Sequence, residues 1–200
     1  HAAICVVAEG RPDRSRCYNY GTTDFGSPPA ELGWRFLRGD AEFWVSVWPV
    51  DRIEAAYARA DRTMWRQRLP LTPAEVDAIR AALEHDARPE HRRYRYHHFL
   101  DNCSTRVRDV VDAGTQGRLT HAADRPFGAT YRQLVRRGLA ELTLALVASD
   151  LVLGRLADRP LDVRTAMFLP AVLRSELTVQ FGVEPALVYR RRGRAFAEQG

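Results

Sequence analysis

Two hundred residues suit a single domain, and 46% hydrophobic with 10% aromatic residues is enough to close a core, which excludes an intrinsically disordered chain. No run reaches the roughly 18 uninterrupted apolar residues that a membrane-spanning helix needs. The net charge of +5 suits anionic partners, whether nucleic acid or phospholipid headgroups, but the arginines are scattered and the one dense run, residues 190–194, reads as a solvated tail, so the charge is a weak clue; no nucleic-acid partner is expected.

The chain opens at His1 and not at a methionine, which raises the expectation of a removed upstream segment. Residues 2–8 read as a strand, residues 9–13 as a turn cluster, and residues 16–20 as a partner strand ending at Gly21. Pro28-Pro29 marks a loop, and residues 42–48 form a third strand stopped by Pro49. A helix is expected over 51–59 and a fourth strand over 63–69. Thr72, Pro73 and Glu75 combine an N-cap, a first-turn proline and an acidic first turn, so a helix should run from there to about His85. After the aromatic and histidine run at residues 94–99, a helix opens at Cys103 with Val107, Val110 and Val111 on one face. Residues 130–153 are helical in pattern, with 139–156 expected as a buried helix. Another helix is expected over 165–177, interrupted by Pro170. Strands first and helices afterwards give the α+β class with an antiparallel sheet, in one domain spanning 1–200 whose residues 130–200 form a helical extension.

Cys103 sits where unpaired helix N–H groups and the positive end of the helix dipole stabilise a thiolate, which makes it the candidate nucleophile. The bland reading is a small buried hydrophobe. The first two strands narrow the choice. With their turn centred on Arg11-Pro12, positions whose numbers sum to about 22 face each other, which sets Cys5 opposite Cys17 and His1 opposite Gly21. Asn19 then lies diagonally beside His1 on the same face, roughly 7 to 8 Å away between backbones. A slip of one residue would bring Tyr18 or Tyr20 there instead. An imidazole, an amide and a thiol on one face are the parts of a papain-type site: base His1, orienting group Asn19 and nucleophile Cys103.

These residues carry a resemblance. The chain is similar to the Lnb N-terminal periplasmic domain family in several ordered blocks: His1-Ala2-Ala3, Tyr18-Asn19-Tyr20-Gly21 with Asp24-Phe25, Phe36-Leu37-Arg38-Gly39, Leu69-Pro70-Leu71-Thr72, Tyr94-Arg95-Tyr96 leading to Asp101-Asn102-Cys103-Ser104-Thr105-Arg106-Val107-Arg108-Asp109, and Met167-Phe168-Leu169-Pro170. The resemblance implies a circularly permuted papain-like (NlpC-type) fold, in which histidine precedes cysteine and an Asn-Cys dipeptide opens the nucleophile helix. It also implies a glycine before the histidine, where this chain has none. The implied activity is extracytoplasmic acyl transfer in bacteria, from a phospholipid donor through a cysteine thioester to a lipoprotein amine, at a periplasmic or outer membrane face and without a cofactor. Tyr96, Asn102, Arg106 and Arg108 are the candidate substrate-binding residues, the arginines because guanidinium forks suit phosphate.

Rival readings use the same residues. Arg106 or Arg108 paired with Asp101 or Asp109 would instead brace the helix start. His97 and His98 with Cys103 lack the spacing of a zinc site, so no metal is expected. Cys5 and Cys17 suit either a disulfide or two reduced core cysteines. A cell-wall peptidase or amidase is the runner-up activity, and an inactive lipid- or peptide-binding module the alternative of a different class.

Overall fold

A computed structural model describes residues 1–23, 41–138 and 155–193. Four strands build the main sheet: β1 (Ala3–Val6), β2 (Arg16–Thr22), β3 (Glu42–Pro49) and β5 (Arg93–Arg95), antiparallel in the order β1-β2-β3-β5. The β1–β2 register pairs Ala3 with Asn19 and Cys5 with Cys17, as the turn position dictates. Cys5 and Cys17 are joined in a disulfide across the pair. Closing a loop of 12 residues restricts the unfolded chain, so the double variant Cys5→Ala/Cys17→Ala is expected to lose about 3 kcal/mol in a denaturant titration. An unchanged midpoint and slope would contradict this.

The sheet lays one face on helices. Tyr18, Tyr20 and Val45 meet Ile79 and Leu83 of α2 (Pro73–Asp86) and Cys103, Val107, Val110 and Val111 of α3 (Cys103–Gly114) in one buried cluster, completed by Met167, Leu173 and Phe181. Helix α2 starts with a capping box, in which Thr72 Oγ1 accepts from Glu75 N–H at 3.3 Å and Glu75 Oε2 accepts from Thr72 N–H at 2.8 Å. Gly114 lets α2 and α3 close, since a Cβ there would overlap the Ile79 side chain. Helix α1 (Val50–Arg59) follows β3 directly and is anchored by the buried Ile53.

Several elements depart from the sequence reading. β5 was not expected as a strand, because its membership depends on pairing Phe43 with Tyr94 far along the chain. The fourth strand is shorter than 63–69: β4 (Met64–Arg66) stays off the main sheet and pairs with β8 (Ala186–Tyr189). Beyond it the chain is held by Gln67, whose amide donates to the Arg174, Thr178 and Val183 oxygens. Another two-stranded ribbon joins β6 (Pro126–Thr130) to β7 (Pro160–Asp162). Helix α4 (Tyr131–Gly138) begins where the pattern placed it, and the buried helix expected over 139–156 lies largely outside the described residues. Pro170 divides the next helix into α5 (Val163–Ala166) and α6 (Pro170–Phe181), with Leu169 extended between them, as a residue before proline prefers. Among the described residues after 130, the helices are accompanied by two short strands, β7 and β8.

Candidate active site

The start of α3 fixes the thiol. Asn102 is extended (φ −128°, ψ −179°) and its Oδ1 accepts from the Ser104 and Thr105 N–H groups at 2.8 and 3.0 Å. Its Nδ2 donates to the His98 and Phe168 carbonyls at 2.7 and 3.0 Å. Thr105 closes the box by accepting from Asn102 N–H at 2.8 Å. Both acceptor positions and both donor hydrogens of the amide are thus used within the protein. In the structure Asn102 holds the helix start. Asn102→Ala would strip these four partners in a buried place, so urea denaturation is expected to show a loss of about 2 kcal/mol. A loss under roughly 0.5 kcal/mol would contradict the capping account.

Cys103 is the free cysteine among the described residues, 9% exposed. Burial alone would push its pKa up, but the hydrogen bond and charge of the His1 imidazole, the Ala2 N–H and the Ser104 hydroxyl outweigh burial and hold the thiol below its ordinary value. The Ser104 contribution is the weakest, since its buried Oγ has no partner at normal hydrogen-bond length among the described residues. The cap uses the Ser104 and Thr105 N–H groups and leaves the Cys103 N–H outside it.

The imidazole is held from two sides of its chemistry. His1 Nε2 hydrogen-bonds Asn19 Oδ1, which also accepts from Gly21 N–H at 3.0 Å and is thereby fixed in orientation. With Nε2–H given to Asn19, Nδ1 is the ring nitrogen that remains to take a proton from sulfur. The expected facing of His1 and Gly21 is present at close quarters: a Cβ on Gly21 would occupy the space of the His1 ring. The structure therefore brings Cys103, His1 and Asn19 together.

Of the other candidates, Tyr96 is near the thiol. Its ring stacks on Phe43 at 4.3 Å, and burial together with the Cys103 charge raises its pKa to about 12. Arg106 and Arg108 pair with groups of the protein. Arg106 makes a two-pronged pair with Asp101 through Nε and Nη2 at 2.6 and 2.8 Å, and its guanidinium lies 3.9 Å over the Tyr94 ring. Arg108 donates to Asp109 at 2.7 Å and to the Arg164 carbonyl at 3.0 Å. Both guanidiniums are engaged with protein partners at α3, the rival reading of their sequence positions, and Arg106 also lines the cleft along that helix. His97 accepts from the Phe99 and Leu100 N–H groups, both at 3.2 Å, which gives it a turn-forming role. Among the described residues no group of three or more histidine, cysteine or acidic side chains could hold a metal.

Tyr57 was not singled out from sequence. It lies on α1, stacks on His1 with ring centroids 5.8 Å apart and planes 21° apart, and feels the Cys103 charge. The signal that could have found it is only the position of an aromatic on a helix directly following β3. A cleft of about 470 Å³ runs along α3, lined by residues including Asp86, Leu100, Asp101, Arg106 and Asp109, and Cys103 does not line it.

The family model described as the Lnb N-terminal periplasmic domain matches residues 1–137, a span that contains His1, Asn19, Tyr57 and Cys103. No curated protein matches the chain, and no solved structure matches it.

Proposed function

The chain belongs to the Lnb N-terminal periplasmic domain family, and on that premise we propose that it is a cysteine acyltransferase acting on phospholipid at a bacterial membrane face. The domain is periplasmic, and among the described residues no helix is long and apolar enough to cross a membrane. A disulfide between Cys5 and Cys17 suits that oxidising compartment. We read the arrangement of a small antiparallel sheet carrying the base, followed by the nucleophile helix, as a circularly permuted papain-like domain.

The observation that carries the proposal is a thiol at a capped helix start whose pKa is lowered by a neighbouring imidazole, itself oriented by Asn19. In the first step the Cys103 sulfur attacks the ester carbonyl of a phospholipid, and the thiol proton passes to His1. The oxyanion faces the Cys103 N–H. Collapse breaks the ester C–O bond, His1 returns the proton to the leaving alkoxide, and a lysophospholipid departs. The lipoprotein's N-terminal amine then attacks the thioester, His1 takes the amine proton, and the C–S bond breaks to give an amide and the free thiol. A thioester retains enough reactivity to acylate an amine, and the apolar and aromatic surroundings of Cys103 limit competing attack by water.

The test is reconstitution of the full chain in detergent with a phospholipid bearing a labelled acyl chain and a diacylglyceryl lipopeptide with a free amine. The expected product is the N-acylated lipopeptide together with lysophospholipid. Free fatty acid without amide would assign a hydrolase instead. Lipid binding with no turnover would support the inactive binding module, and cleavage of cell-wall peptides by the same protein would support the peptidase.

A further inference from the structure

We propose that Tyr57 is a positioning residue for this chemistry, its ring holding the His1 imidazole against Gly21 and over Cys103, an inference that rests on the Cys103–His1 reading of the site. His1 precedes β1 and is exposed, so neither strand pairing nor core packing restrains its side chain. The hydrogen bond to Asn19 fixes one ring nitrogen but leaves the ring able to swing about that contact. Two further surfaces remove this freedom. Gly21 brings bare backbone against the ring, where any side chain would displace it. Tyr57 adds the nearly parallel stack, centroids 5.8 Å apart at 21°.

The stack has a chemical use beyond packing. When His1 takes the proton from Cys103 it becomes a cation, and a tyrosine face within about 6 Å favours a cation over the neutral ring. Tyr57 therefore supports the thiolate–imidazolium form of the pair. Its own hydroxyl stays neutral while the thiol titrates, because burial chiefly, with the Cys103 charge and against that of Arg62, raises its pKa to about 12. The ring and not the hydroxyl is the working part. Tyr57 is carried on α1, which the buried Ile53 anchors, so the ring is presented to His1 from a firm element.

The experiment is the pH dependence of Cys103 alkylation by iodoacetamide in the full chain. Cys5 and Cys17 are tied up in the disulfide, so the label reports Cys103. Tyr57→Phe is expected to keep the wild-type midpoint. Tyr57→Ala and Tyr57→Leu, the second filling space without a ring, are expected to raise it by about one pH unit, a roughly tenfold loss of thiolate at pH values below the midpoint. Gly21→Ala should raise it likewise. His1→Ala separates the two levels of the argument. A raised midpoint in His1→Ala with Tyr57→Ala and Tyr57→Leu at wild type would overturn the role of Tyr57 alone, and an unchanged midpoint in His1→Ala would overturn the Cys103–His1 pair itself. A Tyr57→Phe variant as defective as Tyr57→Ala would also overturn the ring assignment.

Discussion

Cys103→Ser is expected to lower lipoprotein N-acylation by at least about 10³-fold, equivalent to roughly 4 kcal/mol of transition-state stabilisation. Serine is close in volume to cysteine and fits the same buried helix start, so abundance and thermal stability should remain near wild type. The chemistry does not survive the change. One imidazole and one backbone N–H lower the pKa of a thiol already within reach of ionisation, but a hydroxyl begins too far above neutrality for the same groups to ionise it. The measurement is N-terminal acylation of lipoproteins in cells that carry no second enzyme of this activity. Normal N-acylation by the serine variant would remove the thioester mechanism.

His1→Ala is the second large effect, and its sign follows from the groups around the sulfur. Burial raises the Cys103 pKa, while His1, Ala2 N–H and Ser104 lower it, and the balance lies below the ordinary thiol value. The thiolate is the deprotonated form, so wild-type reactivity is expected to climb as pH rises and to level off before an ordinary thiol would. Removing His1 deletes the largest lowering influence and leaves burial opposed only by Ala2 and Ser104. The midpoint should move upward, and reactivity lost at neutral pH should return in alkaline buffer. Turnover should not return with it, because no group is left to carry a proton to the leaving alkoxide or from the amine; a fall of about 10²- to 10⁴-fold is expected at every pH. Turnover restored at high pH would show that His1 only tunes the thiol and does not shuttle protons.

The first hairpin was legible because a turn position fixes every cross-strand partner, and one assumption about Arg11-Pro12 yielded the facing of Cys5 with Cys17 and the approach of Asn19 to His1. The starts of α2 and α3 were legible for a different reason: Thr72 with Glu75, and Asn102 ahead of an apolar face, carry their hydrogen bonds within three residues. What could not be read depends on distant partners. β5 is a strand because Tyr94 finds Phe43, and β4 leaves the main sheet because β8 arrives from more than a hundred residues away. The short ribbons have too few residues for an alternation to register. The partners of Arg106 and Asn102 were hidden for the same reason, since sequence shows which groups they carry and not whether Asp101, His98 and Phe168 use them. Tyr57 was invisible because a helical aromatic announces a buried face without naming what it meets.

The thioester is the centre of the account, and intact-mass spectrometry of the full-length protein after incubation with phospholipid tests it most directly, with no amine acceptor present to discharge it. The expected spectrum shows one added acyl chain, mapped to the Cys103 peptide, released by hydroxylamine and missing in Cys103→Ser. An unmodified protein accompanied by lysophospholipid in the same incubation, or an adduct on any residue other than Cys103, would contradict it.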